Sequence, residues 1–236
     1  MRKKTMNGRN PANRYTKLIL AVVAALFVFG AALGFSSYIN NTQISVLNQN
    51  IQQVQQGVDD LQVASILGDS NSSIACAIFH SSLSSLATQL SNLGLDAQQA
   101  DIENQSGQSY TQTVDELNYA RVEYWLLSQK ISNLCGGTIT TILMFYNPAN
   151  CPQCVLEGDE VNYISSTYGN VSFTALDGTL NLNVVNVLNN IYNLTSADYP
   201  ALVINSKYVV DHYRNTSSIL SYLCTHTNMT RFCNMN

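Results

Sequence analysis

Residues Thr138–Tyr168 read TITTILMFYNPANCPQCVLEGDEVNYISSTY, and their reading decides the fold. The first nine are β-branched, apolar or aromatic, the composition of a strand buried on both faces. After the turn Asn147-Pro148-Ala149-Asn150 the period changes, and Val155 to Tyr168 reads as a helix. Cys151 and Cys154 stand at the junction. Two sulfurs so spaced at a helix start can pass between dithiol and disulfide, because unpaired backbone N–H groups there favour the thiolate of the first. Pro152 suits a first turn, where its missing N–H would be unpaired anyway. A lone C-x-x-C is also a metal motif, but structural zinc takes four ligands. His80, His212 and His226 are scattered and no second C-x-x-C exists, so no metal site is expected.

Working outward, Val171–Asp177 (VSFTALD) is a second strand and Asn183–Leu194 a second helix. Pro200 opens a third strand over Ala201–Asn205, which turns at Asn205-Ser206 into a fourth, Lys207–Arg214. Ser217–Cys224 closes as a short helix. The order is β-α-β-α-β-β-α.

With the cysteine pair after the first strand and Tyr199-Pro200 before the third, residues 137–224 resemble the thioredoxin fold. The resemblance implies an α/β domain in which the Tyr199-Pro200 bond is cis and lies beside the cysteine pair. It implies a thiol:disulfide oxidoreductase acting on protein thiols and disulfides, with no cofactor. Cys151 would exchange with substrate, Cys154 would resolve the mixed disulfide, and Pro200 would complete the site. Relatives with histidine at the position of Gln153 are strong oxidants, and thioredoxins proper carry Gly-Pro between the cysteines. This chain has neither.

Three departures stand out. The link before Cys151 is about one residue longer than usual, it lacks the aromatic normally next to the first cysteine, and Ile142–Phe145 lacks the buried acid of many relatives. Water or Glu157 would then exchange a proton with Cys154. Glu157, Asp159 and Glu160 otherwise read as a solvated helix face whose negative field opposes thiolate formation. Fold alone does not establish activity. The alternative is a non-catalytic surface interaction or assembly protein on a thioredoxin-like scaffold, with the Cys151–Cys154 bridge permanently closed.

The amino-terminal end points to a membrane. Residues 18–39 are 22 without a charge, long enough as a helix to cross a bilayer. The leader, residues 1–17, carries six basic residues and no acid, whereas everything after residue 39 holds all 15 acids and five basic residues. The charge asymmetry predicts a single-pass membrane protein with a cytoplasmic amino terminus and an extracytoplasmic remainder; the thioredoxin resemblance then implies a quinone-linked membrane oxidase or a membrane electron carrier as redox partner. A cleaved signal peptide ending near Ala32-Leu33-Gly34 is the rival reading.

Residues 40–70 read as a helical stalk and 71–136 as a helical hairpin, with the thioredoxin-like domain and a tail over 137–236. Ile44, Leu47, Ile51, Val54, Val58 and Leu61 alternate spacings of three and four, with β-branched residues at the first position of each repeat. That pattern suits a homodimeric coiled coil or packing within the chain, and the spacing does not choose. A second seam runs from Cys76 through Phe79, Leu83, Leu86 and Leu90 to Leu93, and Gly94 reads as its terminator. A third helix starts near Thr113, with Glu116 completing a capping box, after a polar loop over Asp96–Gln112. Antiparallel packing of these two helices sets Cys76 beside Cys135. Of the fifteen pairings open to six cysteines, we expect 151–154, 76–135 and 224–233. The acidic outer part and the absence of a basic aromatic patch argue against nucleic acid.

Overall fold

The structure, a computed structural model, describes residues 45–66, 73–102, 108–227 and 230–233. Three helices come first: α1 (residues 45–66), α2 (Ser73–Ile102) and α3 (Gln108–Leu134). Their apolar seams meet in one buried cluster. Leu47, Ile51, Val54, Val58 and Leu61 of α1 join Phe79, Leu83, Leu86, Leu90 and Leu93 of α2, and Leu117, Tyr124, Leu127 and Ile131 of α3. The α1 seam considered for a homodimer therefore faces helices of its own chain; Ile44 lies outside the described residues.

Two sequence signals are corrected by this packing. Gly94 does not end α2, which runs on to Ile102; the space over its Cα is occupied by the Arg121 guanidinium. Thr113 caps nothing, because α3 begins five residues earlier. Its hydroxyl donates instead to Asn48 Oδ1 at 2.6 Å, tying α3 to α1, while Glu116 accepts from Gln112 Nε2 at 3.0 Å.

Helix α3 passes into the sheet through Gly136 and Gly137, both at positive φ (69° and 74°). The Gly137 N–H donates to Ser132 C=O at 2.7 Å. This is a glycine-dependent helix end that L side chains resist. Strand β1 (Thr140–Tyr146) follows, then α4 (Pro152–Tyr168), β2 (Val171–Asp177), α5 (Asn183–Tyr192), β3 (Ala201–Ile204), β4 (Tyr208–Asp211) and α6 (Thr216–His226). The sheet order is β2-β1-β3-β4, with β1–β2 parallel and the other two pairings antiparallel. Asn205 and Ser206, at φ 49° and 56°, stand in the three-residue turn that joins β3 to β4, where Ile204 pairs with Tyr208.

Helices cover both faces of the sheet. Leu143 and Phe145 of β1 pack with Val122 and Trp125 of α3 and Val185 and Leu188 of α5. Ile142 and Met144, on the other face, pack with Val161 and Ile164 of α4 and Ile219, Leu220 and Leu223 of α6. A buried polar chain adds direction: Tyr124 Oη and Ser172 Oγ lie 2.7 Å apart, and Ser172 Oγ donates to Ser128 Oγ at 2.8 Å. It fastens α3 to β2.

The expected architecture is corrected at its amino-terminal end. Among the described residues no helix is long and apolar enough to cross a membrane. The two longest, α2 and α3, carry Ser, Gln, Asn and Asp along their length. Residues 18–39 and the leader lie outside the described residues. The single-pass placement, with a cytoplasmic amino terminus and an outer domain, is not retained.

All six cysteines are bonded, as Cys76–Cys135, Cys151–Cys154 and Cys224–Cys233. The first joins the start of α2 to the end of α3 across a separation of 59 residues. Closing so long a loop restricts the unfolded chain by about 4 kcal/mol. A Cys76→Ser/Cys135→Ser chain should lose about that much unfolding free energy in guanidinium titrations. A loss below about 1 kcal/mol would show that α1–α3 hold their arrangement without the bridge.

Candidate functional site

Cys151 is the residue that starts α4, with φ −138° and ψ 78°, and Pro152 occupies the first helical turn. The Cys154 N–H donates to the Cys151 C=O at 3.0 Å. The two sulfurs are bonded with Cα atoms 5.2 Å apart. Cys154 is buried at 4 % exposure, whereas Cys151 is half-buried. Cys151 is therefore the more open residue of the two, and the helix start favours negative charge on its side chain.

The Tyr199-Pro200 peptide bond is cis, and both residues are buried. Tyr199 stacks on Phe145 with ring centroids 6.2 Å apart, and its hydroxyl proton is shared between Gly178 C=O (3.1 Å) and Asn189 Oδ1 (2.9 Å). Just upstream, Asp198 Oδ2 accepts from both the backbone N–H and the hydroxyl of Thr195, each at 2.7 Å. These bonds hold the Asp198 carboxyl below its ordinary range. The residues leading into Pro200 are thus held by hydrogen bonds and ring stacking. Cys154, Tyr199 and Ala201 belong to one buried cluster, and Cys151 packs against it. Tyr199 and Ala201, the two neighbours of Pro200 in the chain, thus share an apolar cluster with the cysteine pair. Cys76 and Cys135 lie instead with the α1–α3 core, and Cys224 lies against the α4–α6 face.

Glu157 departs from the solvated face expected of it. It is fully buried. Its Oε1 accepts from the Arg214 N–H at 2.9 Å, while Oε2 is buried with no hydrogen-bond partner. Burial pushes its carboxyl up to about 7, against the lowering influence of the Arg214 N–H and guanidinium. Glu160 also turns to the same loop, accepting from the Thr216 N–H at 3.2 Å and from the Thr216 hydroxyl. Asp159 alone of the three acids is exposed. The signal for Glu157 was in the sequence: Cys154, Glu157, Val161 and Ile164 repeat at three, four and three, and these are the buried residues of α4. One turn from Cys154 on that stripe, Glu157 is a side-chain neighbour of the second sulfur's residue.

Among the described residues no group of three or more His, Cys, Asp or Glu side chains could hold a metal ion. No protein-family model, curated protein or solved structure matches the chain.

Glu157 also couples folding to pH. In the unfolded chain its carboxyl titrates near 4.5 and in the fold near 7, so the folded state holds the extra proton between those values. Its contribution to stability is complete below pH 4.5 and is lost as pH rises through 7. Glu157→Gln, which keeps an acceptor for Arg214, should flatten the pH dependence of unfolding free energy between pH 4.5 and 8 by about 3 kcal/mol. Urea titrations across that range measure it; an unaltered slope would assign the titration to another group.

Proposed function

We propose that the chain is a thioredoxin-like thiol:disulfide oxidoreductase that exchanges disulfides with protein cysteines through Cys151 and Cys154. The observation that carries this reading is one arrangement. A half-buried cysteine at a helix start is bonded to a buried partner one turn inward, and both pack in the cluster that includes Tyr199 and Ala201 on either side of the cis Pro200. The same chemistry runs in either direction, set by the pair's potential and by its redox partner.

In the dithiol form the Cys151 thiolate attacks one sulfur of a substrate disulfide. A bond forms from Cys151 to that sulfur, and the other substrate sulfur leaves as a thiolate that takes a proton from water. Cys154 then passes its proton to Glu157 and attacks the Cys151 sulfur. The Cys151–Cys154 bond forms, the bond to substrate breaks, and the departing sulfur takes the proton from Glu157. Two electrons move from the pair to the substrate. A carboxyl that titrates near 7 serves both halves of this transfer, because it accepts and donates readily at neutral pH. Run backward, the steps oxidise a substrate dithiol.

Insulin reduction by the full chain with dithiothreitol tests the proposal. Wild type should accelerate precipitation, Cys151→Ser should abolish the acceleration, and Cys154→Ser should accumulate a mixed disulfide visible on a non-reducing gel. No acceleration by wild type, with both sulfurs resistant to thiol reagents after reductant treatment, would support the non-catalytic scaffold instead.

A further inference from the structure

Two strands form the edges of the sheet, β2 and β4. Strand β2 has no exposed residue and is fastened to α3 through Ser172. Strand β4 is open: Val209 is 38 % exposed, and Lys207 just before the strand and Asp211 at its end are exposed as well. Such an edge presents backbone groups to which another strand can bond, and proteins usually guard it with charge.

The hydrogen bonds at its two ends fix which groups face outward. The Asn205 N–H donates to the Thr141 C=O of β1 at 2.8 Å. Backbone direction alternates along a strand, so Leu202 and Ile204 face β4, and their partners Val210 and Tyr208 face back at them. At the far end the His212 N–H donates inward, to the Asp198 C=O at 3.3 Å. The N–H and C=O groups of Val209 and Asp211 are left pointing away from the sheet.

We propose that β4 pairs antiparallel with β4 of a second copy of this chain, about a two-fold axis at Val209, joining two four-stranded sheets into one of eight strands. The residues run Lys207-Tyr208-Val209-Val210-Asp211, and turned end for end about Val209 they complement themselves. Lys207 of each copy meets Asp211 of the other, so the symmetry makes two opposite-charge pairs. Val209 meets Val209 with reciprocal N–H to C=O bonds, and Tyr208 meets Val210, an aromatic ring against a β-branched side chain. The lysine that guards this edge against other strands finds an acid in this one register. Between β4 and α6 lies a groove of about 620 Å³, whose charged lining residues are Asp211 and Arg214, one of each sign. Its helix wall carries Ser217, Ser218, Ser221 and Thr225, all short and uncharged, so the α6 helices of two copies can draw near across the same axis. The pairing is independent of the redox reading, because Cys151 and Cys154 follow β1, which β3 separates from this edge.

Sedimentation equilibrium of the full chain should show a reversible monomer–dimer equilibrium. Lys207→Asp and Asp211→Lys each set like charges opposite one another, and each should raise the dissociation constant about tenfold. An equimolar mixture of the two variants should dimerise as wild type does, since every acid then faces a base, and so should Lys207→Asp/Asp211→Lys. A wild-type chain still monomeric at about 1 mM, or a dimer that neither swap weakens, overturns the pairing. So does a mixture that stays monomeric while both variants keep the circular dichroism of wild type. The register has its own test. Opposed residues in a hydrogen-bonded antiparallel pair have Cα atoms about 5.5 Å apart, within reach of a disulfide. Val209→Cys should therefore give a disulfide-linked dimer on mild oxidation, while Ile191→Cys, on α5 at 64 % exposure, should run as monomer on a non-reducing gel. Absence of the linked dimer at Val209, or equal linking at both positions, overturns the assignment.

Discussion

Burial of β1 on both faces is the constraint from which the rest follows. Ile142, Leu143 and Phe145 have no measurable exposure, and Met144 has 4 %. A strand so placed needs a neighbour on each edge and a helical layer on each face, and β2, β3, α3 and α5, α4 and α6 supply them. Each such side chain contributes about 1.5–3 kcal/mol when taken from water, so the register of β1 is firmly specified. A slip of one residue would exchange its two apolar faces and mismatch every helix packed on them. Because Cys151 follows β1 by five residues, the same register also sets where the Cys151–Cys154 bond lies.

The helical part serves this sheet as its cover. Helix α3 takes part in both the α1–α2 core and the sheet core, and Tyr124, Ser128 and Ser172 join it to β2 by buried hydrogen bonds. Burial raises the Tyr124 hydroxyl above its ordinary range, partly offset by Ser172 and Ser128. Such a network loses heavily if one member is left unpaired, which favours a single docking position for the helix over many.

Glu157 is one of several exceptions to this pattern among the described residues, with Trp125, Gln129 and Thr141, and it is the ionisable one. One oxygen is bonded to Arg214 and the other has no partner. A buried carboxylate in that state is costly when ionised, and the cost appears as a raised pKa. The bonded oxygen has a structural role that an apolar side chain could not fill, because the Arg214 N–H would lose its acceptor.

Much of the scaffold was legible in the residues themselves. The run Thr140–Tyr146, the apolar seams of the first three helices, the Asn205-Ser206 turn and the pairing of the six cysteines are local or periodic patterns, and periodicity survives whatever the chain packs against. Other features depended on what came to lie opposite each residue. Gly94 reads as a helix end until Arg121 lies over it, and Thr113 reads as a cap until Asn48 offers its hydroxyl a partner. The α1 seam served a second chain or its own equally well until α2 and α3 closed on it. Glu157 carries a charge that composition places in water, and only the loop at Arg214, over fifty residues away in sequence, encloses it. What a side chain prefers is written in its own chemistry; what surrounds it is decided by distant segments, and the buried acid belongs to that second kind.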